Sequence, residues 1–157
     1  MNRVLAGVCL GAAMLLVPAA SPAGGPDNAT TNAALVRSAF EDWRQGRGSV
    51  FDLLHDDVTW TVAGTSPVSG TYNSRQDFMD LAVAPINAQL ATPLSPDVQH
   101  VVAHGDAVVV IWEGRATAQA GFEYTNHYAW HMQLRDGKVV RVIAFLDTWA
   151  LQALMEE

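Results

Sequence analysis

Phe122 to Leu146 reads FEYTNHYAWHMQLRDGKVVRVIAFL. It holds two runs of strand-forming residues, Phe122 to Leu134 and Val139 to Leu146, joined across Asp136-Gly137. An Asp-Gly pair between such runs marks a tight hairpin, because both turn residues must take a positive φ. Side chains alternate between the faces of a strand, so Asn126, Tyr128 and Trp130 share one face and His127 and His131 the other. The turn fixes the register of the last two strands, and a slip of one residue would reverse every facing.

Two more strands precede this hairpin. Ala107 to Thr117 is apolar on both faces around Val108-Val109-Val110-Ile111-Trp112, and Val98 to Ala103 forms the strand before it. Gly105-Asp106 and Ala120-Gly121 mark the turns between them. Further upstream the period becomes helical. Leu35, Val36, Ala39, Phe40 and Trp43 recur on one face of a helix that Thr30 or Thr31 would cap and that Gly46 and Gly48 would end. Ser49 caps a short second helix through Phe51, Leu53 and Leu54, and Val58-Thr59-Trp60-Thr61-Val62 alternates as a half-buried strand. Gly64 to Tyr72 reads as a loop. Ser74-Arg75-Gln76-Asp77 resembles a capping box ahead of a third helix carrying Phe78, Leu81 and Ala82, which Pro85 interrupts or kinks. Helices first and an antiparallel meander after them predict an α+β domain, with helices packed on one face of a curved sheet.

The N-terminus has the three parts of a secretory signal: Arg3, an uncharged apolar run from Val4 to Val17, and small residues at Ser21-Pro22-Ala23. The run is about 14 residues, short of the ~20 that span a bilayer, so the expectation is cleavage after Ala23 rather than a membrane anchor. Cys9 lies inside the run, where a lipid-modified cysteine would follow it. The division is a signal peptide over 1–23, a flexible Gly/Pro/Asn/Thr leader over 24–32 and one domain over 33–157, secreted or periplasmic and free of the membrane after cleavage. Cys9, the sole cysteine, leaves with the signal, so thiol catalysis and disulfides are excluded from the mature chain. Arg3 leaves too, and eight basic residues then face sixteen acidic ones. An acidic surface repels phosphate backbones, which makes nucleic acid a poor partner.

Phe40-Glu41-Asp42-Trp43, Leu53 to Trp60, Gly70-Thr71-Tyr72, and above all Asp136 to Arg141 followed by Phe145-Leu146-Asp147-Thr148 carry a family likeness. In order and spacing these strings resemble the SnoaL-like, ketosteroid-isomerase-like branch of the nuclear transport factor 2 superfamily, over nearly the whole mature chain. The resemblance implies a cone: a curved antiparallel sheet wrapped around about three helices and enclosing a pocket. It further implies that Trp60, Val62, Trp112 and Gly114 face inward from the earlier strands, and Asn126, Tyr128, Trp130, Val142, Ala144 and Leu146 from the last two. Members include steroid isomerases, polyketide cyclases, epoxide hydrolases and binding proteins, so the fold does not give the function.

On that alignment the acid–base sets of the catalytic relatives are missing. The isomerase base falls on Val62 and the isomerase acid on Tyr128. The cyclase His and Asp fall on Trp130 and Ala144, and the hydrolase Arg and Asp positions on Gly114, Ala116 and Ala144. Asp147 remains, either a carboxylate at the pocket mouth or a cap for the segment beginning at Thr148-Trp149. Tyr128 and Asn126 either donate to a ligand carbonyl or are satisfied within the core. Trp43, Trp60, Phe78, Trp112 and Trp130 are plain core or a pocket wall, pockets being mainly apolar with a few polar groups. His100 and His104 are four apart, as are His127 and His131, but on strands that spacing covers about 13 Å, too far for one ion. His55, near the end of the second helix, reads as a cap or surface residue.

The reading is an exported protein that binds a small, largely apolar ligand through Trp60, Trp112, Asn126, Tyr128, Trp130, Ala144 and Asp147, with no metal and no cofactor. The alternative is a cofactor-independent isomerase, cyclase or lyase acting on a small carbonyl or polyketide-like substrate. There Asp147 is the general base, and Tyr128 and Asn126 stabilise an enolate-like oxygen. A third class is an interaction module whose pocket its own Trp residues fill; a volume below ~300 Å³ would favour it. Val109 and Ile111, on the face opposite the pocket, predict a homodimer through the outer face of the sheet.

Overall fold

The computed structural model describes residues 26–156. The expected signal peptide over 1–23 lies outside the described residues. One six-stranded sheet runs in the order β2-β1-β6-β5-β4-β3. Its strands are β1 (Leu54–Val62), β2 (Gly70–Tyr72), β3 (Ser95–His104), β4 (Ala107–Thr117), β5 (Glu123–Arg135) and β6 (Lys138–Leu146). Helix α1 (Pro26–Arg44), the composite helix of α2 (Arg75–Phe78) and α3 (Ala84–Ala88), and α4 (Thr148–Met155) accompany it. The sheet is curved and unclosed, as expected of an α+β cone.

The last hairpin forms where the sequence puts it. Arg135 pairs Lys138, and Asp136 and Gly137 take φ of 52° and 73°. Burial along β5 alternates strictly from Tyr124 through Asn126, Tyr128, Trp130 and Met132 to Leu134, so the expected facing is correct. Register shifts at Leu54/Thr59, Val98/His100 and Gln133/Leu134 interrupt three of the ladders. Such bulges increase local twist and bend a sheet around its helices.

Three features depart from the sequence reading, and a fourth refines it. The sheet is not wholly antiparallel, because β1 lies parallel to β6, pairing Trp60 with Val142 and Val62 with Ala144. Chain segments so far apart meet only when the sheet assembles, and no local pattern encodes their direction. The presumed loop over 64–72 contains β2, antiparallel to β1 through Trp60 and Tyr72. The leader expected over 24–32 is helical from Pro26, so neither Thr30 nor Thr31 caps α1. Proline suits a first helical turn, where its missing N–H is not needed. Asn28 and Asn32 then tie this turn to Asp106 and the Gly105 carbonyl, in the β3–β4 turn. Finally, the interruption expected at Pro85 takes the form of a change of helix type rather than a break. A π turn over Met79–Val83 precedes it and absorbs the missing donor, and the helix continues as α3.

Ser49 caps Val50–Leu53, a 3₁₀ turn, with a reciprocal bond from the Ser49 N–H to Asp52. Ser74 accepts from Asp77 N–H at the start of α2. Helix α4 is the third helix of the cone; its Leu151 and Leu154 bury against Leu90, Ala116, Ala118 and Tyr124. No helix among the described residues is long and apolar enough to cross a membrane.

Candidate functional site

The inner face is built of rings. Phe40 and Trp43 come from α1, Phe51 from the 3₁₀ turn, Trp60 from β1, Phe78 from α2, Trp112 from β4, and Tyr128 and Trp130 from β5. Trp60 stacks on Phe78 with centroids 4.0 Å apart, and Trp112 stacks on Tyr128 at 3.9 Å. Trp130 meets Trp60 and Trp112 edge to face at 4.9 and 4.8 Å. The edge-to-face contacts are a favoured geometry of aromatic quadrupoles. Gly114 makes the second stack feasible: a Cβ there would lie 3.0 Å from Trp112 and 3.1 Å from both Leu94 and Tyr128.

Beyond the rings a cavity of about 300 Å³ remains. Its wall includes Trp60, Trp112, Tyr128, Trp130 and Ala144, five of the seven expected ligand-binding residues. Helical residues that period-two reasoning on strands could not supply complete it, among them Leu81, Ile86, Leu151 and Met155. Among the described residues no lining side chain is charged. The volume sits at the lower end of the ~300–1,000 Å³ typical of small-molecule pockets.

Asn126 and Asp147 are not part of that lining. Asp147 caps α4: its Oδ1 accepts from Trp149 N–H at 3.0 Å and from Ala150 N–H at 3.2 Å. Asn126 is buried and bonded to the Asp147 backbone, accepting from its N–H at 3.0 Å and donating to its carbonyl at 2.9 Å. A second Asn126 proton reaches the Tyr124 hydroxyl at 2.8 Å, and the Tyr124 and Tyr128 hydroxyls are 3.2 Å apart. Burial pushes both phenols above their ordinary pKa, Tyr128 the further, so both stay protonated at neutral pH. Sequence reasoning missed Tyr124, although it shares the parity of Asn126 and Tyr128 on β5.

His127 and His131 lie on the outer face, as strand parity put them, and His100 lies there too. His100 stands opposite Ile111 across the β3–β4 ladder, His127 opposite Glu113 and His131 opposite Val109, all on the outer face. That face also leaves Val102, Ile111 and Phe145 exposed by 64%, 40% and 55%. Helix α4 does not cover them, since it packs on the inner side.

The curved, unclosed six-stranded sheet with its three helices has the fold of nuclear transport factor 2-like structures. The chain belongs to the SnoaL-like domain family, whose model matches residues 33–142. Three solved structures show the same fold. Bal32a, from a soil-derived mobile gene cassette, aligns with a TM-score of 0.68 at 18% identity, over 82% of this chain and 98% of that one. TerC, co-crystallised with polyporic acid, aligns at 0.65 and 23%, over 80% and 98%. A nuclear transport factor 2-like protein of unknown function from Burkholderia pseudomallei aligns at 0.65 and 24%, also over 80% and 98%. No curated protein matches the chain in sequence.

Proposed function

We propose that this chain is an exported SnoaL-like protein that holds a small, largely apolar molecule in its cavity. The observation that carries the reading is the wall itself: about 300 Å³ lined by rings and aliphatic side chains, with no charged group among the described lining residues. Burying apolar ligand surface there is worth about 25 cal/mol per Å² before the costs of binding. Proton transfer has less support. The carboxylate that the enzymatic alternative needs, Asp147, is engaged by two backbone N–H groups and stands outside the lining. TerC, with polyporic acid in its crystals, shows that a protein of this fold can be crystallised with a small organic molecule.

Export rests on the N-terminal segment, and terminal sequencing of the secreted or periplasmic product tests it; the product starts at Gly24, and a start at Met1 refutes cleavage. A homodimer through the outer face rests on exposed Val102, Ile111 and Phe145. The binding reading is tested by Trp130→Ala and Asp147→Asn, with uptake of apolar probes followed by tryptophan fluorescence. Trp130→Ala weakens uptake and Asp147→Asn changes it little. A substrate whose turnover collapses in Asp147→Asn while its binding persists would establish the enzyme instead.

A further inference from the structure

Four of the chain's five tryptophans line the cavity: Trp43, Trp60, Trp112 and Trp130. Tyr72 and Tyr128 add two phenol rings. The indoles meet at steep angles. Trp130 stands at 83° to Trp60 and at 82° to Trp112, and Trp43 at 64° to Trp112. Planes set this way turn their faces in several directions. Each face carries the negative lobe of the ring quadrupole, and indole attracts a cation most strongly. A wall without a formal charge can therefore still select by charge.

The charges around the opening have the same sign. Leu81, a lining residue 66% exposed, marks where the cavity meets solvent. The lining on that side comes from Pro67 and Val68, from the π turn and α3 that carry Leu81, and from Leu151 and Met155 of α4. Residues 63–69 include no charged side chain. Over Met79–Ala88 the one charged residue is Asp80, and over 147–156 they are Asp147 and Glu156. Every charge on these segments is acidic, and the chain as a whole carries −7. On α2, Arg75 is drawn to Asp52 at 3.5 Å. Such a field favours the approach of cations and opposes that of anions.

The kind of cation follows from what the wall lacks. A primary ammonium has three N–H groups to satisfy. Among the lining side chains Asn87 is exposed and Tyr72 half-buried, and the Tyr128 oxygen already lies 3.2 Å from that of Tyr124. A fully methylated ammonium has no N–H and needs no acceptor, so burial leaves none of its polar groups unpaired. Its charge then interacts with the rings alone.

We infer that the cavity is an aromatic cage for an organic cation: a quaternary ammonium group carried on an apolar body. The inference rests on the binding reading above and adds the sign of the ligand's charge.

Phenyltrimethylammonium, tert-butylbenzene and benzenesulfonate carry one phenyl ring and a tetrahedral head that is positive, neutral or negative. They are titrated into the full chain by calorimetry at neutral pH and about 0.15 M salt, where exposed charges are screened beyond about 8 Å. The cation binds about tenfold tighter than tert-butylbenzene, and benzenesulfonate binds weakest. Biosynthetic replacement of tryptophan by its mono-, di- and trifluorinated forms keeps the ring shape and withdraws charge from its face. The cation's affinity falls with each added fluorine, while that of tert-butylbenzene holds. The fifth tryptophan, Trp149, is 81% exposed and outside the lining, so the trend reports on the other four. Should the fluorinated chains not fold, Trp43→Leu, at a half-buried position, lowers the cation's affinity more than that of tert-butylbenzene. Equal affinity of cation and hydrocarbon for the unaltered chain, preference for benzenesulfonate, or indifference of the cation to fluorination overturns the cage. Binding of tert-butylbenzene then leaves the binding reading standing. If none of the three probes binds, the binding reading falls and this inference with it.

Discussion

The two faces of the sheet are made from the same strands and the same register, yet they solve opposite problems. On the inner face every large side chain of β4 and β5 has a partner: Trp112 with Tyr128, Trp130 with Trp60, Asn126 with the Asp147 backbone. On the outer face Ile111 and Phe145 stand in open contact with solvent. The difference teaches that alternation encodes which residues share a face, whereas the helices determine which face becomes the core. A strand apolar on both sides, as β4 is, carries one surface for folding and one left over.

The contrast is broken most forcefully from inside. Trp60→Ala removes a ring 2% exposed that stacks on Phe78, and chemical denaturation should show a loss of about 3–5 kcal/mol. A loss below about 1 kcal/mol would mean that the ring box is loosely packed. Gly114→Ala comes next, since its Cβ would press on Trp112, Leu94 and Tyr128 at 3.0–3.1 Å. Overpacking of this kind costs about 1–3 kcal/mol, and near-ultraviolet dichroism should report the displaced stack.

Alkaline pH sharpens the same contrast. Burial raises the pKa of Tyr124 and Tyr128 in the folded chain, so folding favours the protonated phenols. Their contribution is fully present below the unfolded phenol value near ~10 and is lost as pH rises beyond it toward the folded values. Absorbance at 295 nm should show two phenols ionising together with unfolding, and Tyr128→Phe should remove one of these late steps. The smallest effect on the fold belongs to the outer face. Phe145→Lys on an exposed position should change domain stability by no more than about 0.5 kcal/mol. Light scattering, in contrast, should change from twice the chain mass to once. Unchanged mass in Phe145→Lys and Ile111→Lys together would remove the outer face as the dimer contact.

Much of the fold was legible because its signals are local. Asp136-Gly137 set a register, the alternation along β5 set the facing, and Ser49 and Ser74 announced the turns they cap. The parallel pairing of β1 with β6 was not legible, since its direction depends on contacts between segments some eighty residues apart in the chain. Strand β2 escaped because three residues, Gly70–Tyr72, are too few for a period. The first turns of α1 escaped because Asp, Asn and Thr show no apolar stripe. The site divides in the same way. The strand rings of its wall follow from parity once the family resemblance sets the inward face, whereas the role of Asn126 depends on the Asp147 backbone, which reaches it only after the chain has turned through the whole hairpin.

The Asn126 amide has a mechanical consequence. By giving a proton to the Asp147 carbonyl and taking one from its N–H, it behaves as a detached peptide unit extending the sheet by one rung beyond β6. That rung is also the hinge pin of α4, whose Leu151 and Met155 line the cavity. The pair anchors the N-cap of that helix to β5. Exchange of the Asp147 amide proton with solvent should therefore report release of this anchor, quickening when Asn126 is replaced.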